Sequence, residues 1–376
     1  MSVSLTTPQA SFSKEEAQQL EVCERRILCN ITCVRDKLKD FPKKIQIQEQ
    51  HSAFGMPVHW DLPCQLLVVV VKEGYSVKDP IRSKVIAAFQ HATTMQKQVA
   101  EYNEEPGAPL FLTDEYIATV KKGDTQVMRL GWSEHDITVT FFNDYMVIAN
   151  GGSRPYTLTA FKIEPQLVTK KLLLAMVAMR YRPQKESVKF FYTELPQRLD
   201  ATQDATTKAI EEMSPKIQKW DNCSVYSLKC AFRVVLFAIK YQEAVNALQA
   251  GKAPAEVNTK QVVAQAKSFS TEWRALTLIT YLKTNGMKIK YPTSEQEIPQ
   301  LLEAVKEEIQ RKAKKPALEG KMPINNEIVL ATIDKITRRV TKPIRRQPPR
   351  AREIILLTGA MGVFLLPSVL IQKKLK

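Results

Sequence analysis

One amphipathic pattern begins at Cys223 and governs what can be built around it. From Val225 the apolar residues Leu228, Phe232, Val235, Leu236 and Ile239 follow at spacings of three and four, which is one face of a helix packed on a core. Ahead of it stands the polar run Gln218-Lys219-Trp220-Asp221-Asn222. Asp221 or Asn222 supplies an N-cap, because a short polar side chain accepts from the first unpaired amides. Gly251 marks the stop. Cys223 therefore falls in the first turn, where unpaired N–H groups and the helix dipole favour a thiolate over a thiol. Such a thiolate is a nucleophile in need of a base. Gln218, five residues earlier, carries an amide that can face an oxyanion formed beside the sulfur. The competing reading of the same letters is a packed core cysteine at a helix start.

A base is offered by the β-rich stretch upstream. Gln126–Leu130 reads as a strand, and two further β-rich runs flank Asn143-Asp144, a hairpin signal. With a two-residue loop, Phe142 opposes Tyr145, His135 opposes Gly152 and Ile137 opposes Asn150. Side chains alternate between faces, so His135 and Asn150 become diagonal neighbours on one face, about 7–8 Å apart between backbones. Asp144 lies at the far end of the hairpin, out of range. A one-residue change in the turn would undo the pairing. Cysteine at a helix start, histidine on a strand, asparagine beside the histidine and glutamine before the cysteine make a thiol-hydrolase constellation. Cys223 is its nucleophile, His135 its base and Asn150 the holder of the ring; Gln218 and the Cys223 amide stabilise the oxyanion.

Gln218-x4-Cys223 at the head of a long helix resembles the papain-like cysteine proteases, and His135 with Asn150 on the next strand resembles their His–Asn pair. The order is permuted, with His and Asn first, Gln and Cys after. The fuller set (Gly131 to His135, Asn150 to Gly152, Gln218 to Ser224) resembles the cysteine-protease-like domains of Legionella-type secreted bacterial effectors, in which a Gly-x-x-x-His strand, an Asn-x-Gly turn and an Asn-Cys-Ser recur in this order. The resemblance covers roughly residues 115–250. It implies a papain-like antiparallel hairpin core packed on the cysteine-bearing helix, protease activity on a protein substrate, and a bacterial effector, a virulence protein, delivered to a host cell. Two features depart from it. No ankyrin repeats of the kind such effectors often carry are visible, and the Gln is one residue closer to the Cys than in papain itself.

Other candidates carry less. His59 and Cys64, in His-Trp-Asp-Leu-Pro-Cys, would form a dyad, but the flanking prolines point to a structural loop. His51 and His91 read as surface or packing residues. Trp132 and Trp220 each stand three residues before a supposed catalytic residue and would wall a cleft or pack in the core. The six cysteines include no CxxC pair, and with four histidines no zinc-ligand spacing appears. No Gly-rich phosphate loop is present, so no cofactor or metal is expected. The thiols suit a reducing compartment, and the polar stretch 1–10 has no apolar h-region of a secretory signal.

The rest of the chain reads as mixed α+β. A helix is expected from Ser11 or Ser13 to about Asp40, then a loop over His51–Pro63, a buried strand at Gln65–Val71 and a helix from Pro80 to Tyr102. Short strands are expected at Tyr116–Val120 and Val188–Tyr192, with helices at Pro165–Arg180 and Asp200–Met213. Beyond Gly251 the pattern predicts helices at Val257–Thr284, Ser294–Lys315 and Asn325–Val340. The domains implied are an N-terminal region (1–110), the hydrolase-like core (111–253) and a helical region (254–341), followed by a basic linker (342–352) and a C-terminal hydrophobic helix (353–372).

That last segment matters for location. The formal net charge is +16, and residues 301–376 hold 17 Lys/Arg against 7 Asp/Glu, so the basic character is local; nucleic-acid binding across the whole surface is not expected. Ile354 to Ile371 is uncharged and at 1.5 Å per residue spans about 27 Å, enough to cross a hydrocarbon core. Seven Lys/Arg between Arg338 and Arg352 precede it and three follow it. By the positive-inside rule this predicts a tail-anchored protein with its catalytic part in the cytosol, the basic linker touching anionic lipid. The expectation is a membrane-tethered cysteine hydrolase, with deamidation or acyl transfer as variants of the same chemistry. The alternative is a membrane-anchored binding module that keeps the fold without the reaction.

Overall fold

The computed structural model describes Ile31 and residues 52–74, 76–104, 112–132, 135–151, 157–216, 223–253, 256–284, 297–313 and 326–340. Helices α1 (Ser52–Glu73), α2 (Ile81–Glu104) and α3 (Leu112–Lys121) precede four strands: β1 (Gln126–Trp132), β2 (His135–Phe142), β3 (Tyr145–Ala149) and β4 (Leu158–Lys162). Then come α4 (Lys170–Ala178), α5 (Gln184–Lys189), a π-helical turn (Phe190–Glu194), α6 (Leu195–Arg198) and α7 (Ala205–Glu212). The cysteine-bearing helix α8 (Cys223–Gln249) follows, then α9 (Thr259–Thr284), α10 (Glu297–Ala313) and α11 (Asn326–Val340). The α+β class is realised by these helices around an antiparallel sheet of order β1-β2-β3-β4.

The β2–β3 hairpin has the register expected of a two-residue loop, from Phe142 opposite Tyr145 to Thr138 opposite Ala149. Asn143 takes φ +47 in the turn, a left-handed conformation that asparagine tolerates. Both sheet faces are covered. Val127, Phe142, Tyr145, Val147 and Ala149 join a core with residues of α1, α2, α8, α9, α10 and α11. Met128, Leu130, Ile137, Val139, Phe141, Met146 and Ile148 pack on the other side against α3, α4 and the 188–199 stretch. Covering on both sides explains why β1 and β3 are buried at every position. Helix α8 lies against the first of these faces: Thr138 Oγ1 donates to the Ser227 carbonyl at 3.2 Å.

Several expectations are corrected. Residues 52–73, read as a loop and then a strand, are one helix. Cys64, Leu67 and Val71 are buried in it, as are Leu66 and Val70, a spacing of three and four. The β-branched run is a helix packed from more than one side, and a short apolar run does not distinguish the two states. Tyr116–Val120 belongs to α3, with Tyr116 and Val120 buried four residues apart. Val188–Tyr192 ends α5 and enters the π turn, with Phe191, Leu195 and Leu199 buried at intervals of four. The single helix expected over Pro165–Arg180 is α4 with a 3₁₀ turn at each end.

The transmembrane, tail-anchored reading is also corrected. No helix among the described residues is long and apolar enough to cross a membrane. Ile354–Ile371 and the basic linker lie outside them, as do all but Ile31 of the expected first helix.

Candidate active site

Two of the expected residues meet directly. His135 Nε2 and Asn150 Oδ1 are 2.8 Å apart. A carboxamide oxygen only accepts, so Nε2 carries the hydrogen and, in the neutral ring, Nδ1 keeps its lone pair. Asn150 Nδ2 donates to the Tyr192 hydroxyl at 3.1 Å. Trp132, opposite His135 in the β1–β2 ladder, stacks on the imidazole with ring centroids 4.6 Å apart. It is 3 % exposed; it packs in the core and walls one face of the imidazole at once.

The sulfur meets the backbone of the same strand as His135. Cys223 is half-buried at the first position of α8, and its Sγ accepts from the Asp136 backbone N–H at 3.4 Å. The thiol is therefore one residue along β2 from the base. A backbone donor aimed at sulfur stabilises a thiolate more than a thiol. Cys230 is buried, and burial pushes its thiol up to about 12 against the weaker opposing pull of Arg233 and Lys229.

Two glycines fix this geometry. Gly131 has φ +153, and a Cβ there would run into the His135 carbonyl, so only glycine lets β1 approach β2 so closely at the histidine. At Gly151 a Cβ would enter the ring of Tyr226, one turn into α8. The bare backbone after Asn150 is thus the seat on which the cysteine helix rests. Both glycines belong to the motifs singled out in the sequence.

Beneath the site lies a charge cluster. Arg129 Nε and Nη2 donate to Asp136 Oδ1 and Oδ2 at 3.0 and 2.9 Å, and Arg180 Nη2 donates to Oδ1 at 3.1 Å. All three are buried. Burial, then repulsion from Arg129, lowers Arg180 to about 10 from 12.5, against the pull of Asp136. The cluster fixes the side chain of the residue whose N–H meets the sulfur.

Gln218 and Trp220 lie outside the described residues, as do Asp221, Asn222 and His51. His59 is within α1, not in a loop, and Cys64 is buried with its sulfur turned to α2, accepting from Thr93 Oγ1 at 3.2 Å and donating to the Phe89 carbonyl at 3.5 Å. His91 is exposed on α2. Among the described residues no group of three or more His, Cys, Asp or Glu could hold a metal ion. Sequence reasoning missed Tyr192 and the Arg129–Asp136–Arg180 cluster. The second had a signal: Arg129 and Asp136 are opposite charges on neighbouring β-rich runs, two positions apart diagonally in the β1–β2 register.

No model of a known protein family matches the chain, and no curated protein matches it. Among solved structures it is similar to the Legionella effector AnkH, with a TM-score of 0.47 and 12 % identity, over 91 % of this chain and 74 % of that one.

Proposed function

We propose that this protein is a cysteine hydrolase acting on a protein substrate, with Cys223 as nucleophile, His135 as base and Asn150 as the residue that orients the ring. The observation that carries the proposal is the His135–Asn150 hydrogen bond of 2.8 Å beside a half-buried thiol whose sulfur accepts from the next residue's N–H. In the reaction His135 takes the thiol proton, and the Cys223 sulfur bonds to the substrate carbonyl carbon. The imidazolium then protonates the leaving amine as the C–N bond breaks. Water, losing a proton to His135, cleaves the acyl-thioester and restores the thiol. Ammonia as the leaving group makes the same steps a deamidation, and an amine in place of water makes them a transfer. The motif resemblance at Gly131–His135, Asn150–Gly152 and Asn222–Ser224 supports a papain-like site in permuted order and the setting of a secreted effector acting inside a host cell.

The test is alkylation of the folded full chain by iodoacetamide at pH 7, the labelled cysteine being identified by peptide mass. Cys223 is expected to react ahead of the buried Cys64 and Cys230. His135→Ala is expected to slow its labelling about tenfold, the effect of one unit in thiol acidity. A Cys223 that is inert, or indifferent to His135, overturns the proposal and leaves a binding module.

A further inference from the structure

The hydrogen-bond chain from His135 does not end at Asn150. A carboxamide has two ends, and only one orientation serves a base. With Oδ1 toward the ring, Nε2 holds the hydrogen and Nδ1 is open; with Nδ2 toward the ring, Nε2 must accept and the hydrogen moves to Nδ1. Asn150 is 1 % exposed, so both amide ends need protein partners. Its Nδ2 donates to the Tyr192 hydroxyl oxygen, which leaves Oδ1 for Nε2.

The backbone that delivers Tyr192 is itself unusual. Residues Phe190–Glu194 form a π-helical turn between α5 and α6. Such a turn widens the helix by a residue and recurs at functional sites. Phe190 and Phe191 are buried in the core on that side of the sheet, their rings at 83° to each other, and they anchor the turn. Tyr192, the next residue, is only partly buried and reaches across to the amide.

We infer that Tyr192 is a positioning residue: by accepting from Asn150 Nδ2 it holds the amide with Oδ1 on His135 Nε2, which keeps the ring hydrogen on Nε2 and leaves Nδ1 as the basic nitrogen. This rests on the Cys223–His135 reading above. It does not touch the reacting atoms.

The experiment is ¹⁵N NMR of the full chain labelled at histidine, with two-bond nitrogen–proton correlations reporting which ring nitrogen is protonated. The chain has four histidines, and His135 is assigned by its loss in His135→Ala. The wild-type ring is expected as the Nε2–H tautomer. Tyr192→Phe removes one hydroxyl and is expected to give a mixture of tautomers, displaced toward the pattern of Asn150→Ala. It is also expected to slow Cys223 alkylation at pH 7 about fivefold, the worth of one ordinary hydrogen bond. The tautomer is read on folded protein, so a mere loss of stability does not move it. An unchanged Nε2–H tautomer in Tyr192→Phe overturns the inference. Failure of the hydrolase reading appears separately, as Cys223 labelling that His135→Ala leaves unaltered.

Discussion

At the scale of single residues, the site rests on a carboxylate buried between two guanidiniums. Asp136 faces two guanidiniums, Arg129 in a bidentate pair and Arg180 on one oxygen. Removing the carboxylate charge breaks both of these buried ion pairs at once. Asp136→Asn is therefore expected to cost about 3–5 kcal/mol, the loss that follows breaking a buried ion pair, read as a lowered denaturant midpoint. Arg180 behaves oppositely. Its folded-state value, about 10, lies below 12.5, so the fold disfavours its charged form. That penalty is in full force below pH 10 and is relieved only as pH rises through 10 toward 12.5. Arg180→Met, similar in reach and uncharged, is accordingly expected to leave stability at pH 7 within about 1 kcal/mol of wild type. A severe loss in Arg180→Met equal to that in Asp136→Asn would refute the asymmetry.

At the scale of elements, two segments far apart in sequence are fitted by one missing methyl. The turn after Asn150 and the first turns of α8 touch through Gly151 and the Tyr226 ring. Gly151→Ala forces them apart and is expected to destabilise by about 1–3 kcal/mol, the usual effect of overpacking. Tyr226→Ala in the same chain frees the space, so a double-mutant cycle on denaturant midpoints should return a favourable coupling of about 1 kcal/mol or more. Strict additivity would mean that the two residues do not bear on each other. These are also the elements that the sequence made most legible. The hairpin register and the reach of α8 from Cys223 follow from turn chemistry and period, both local. From them the approach of His135 to Asn150 could be read in advance. The β-branched run Gln65–Val71 and the aromatic run Phe190–Tyr192 were illegible for the opposite reason. Their state is set by what packs on them, and composition favouring strand yields to tertiary contacts. Tyr192 went unseen because its place depends on an extra residue in a helix, which leaves no mark in the pattern.

At the scale of the molecule, the nucleophile's helix is held by a core far larger than the site. Phe232 of α8 stacks on Phe269 of α9 at 3.8 Å between centroids and on Phe89 of α2 at 6.3 Å, and Phe269 stacks in turn on Trp273. This aromatic row ties helices before the sheet to helices after the cysteine, within a single cluster that also contains residues of α10 and α11. A site assembled on such a frame gains its rigidity from the core into which α8 packs along its length. Phe232→Ala opens a cavity in that row and is expected to cost about 3–5 kcal/mol. One shared core further requires that the loss be felt everywhere together. In urea, the helical signal by circular dichroism and the exposure of Cys230 to alkylation should move to the same lower midpoint, as a cooperative transition demands. Two separated midpoints, with Cys230 exposed before the bulk of the helix melts, would mean that α8 and its thiol site ride on a unit that unfolds apart from the rest.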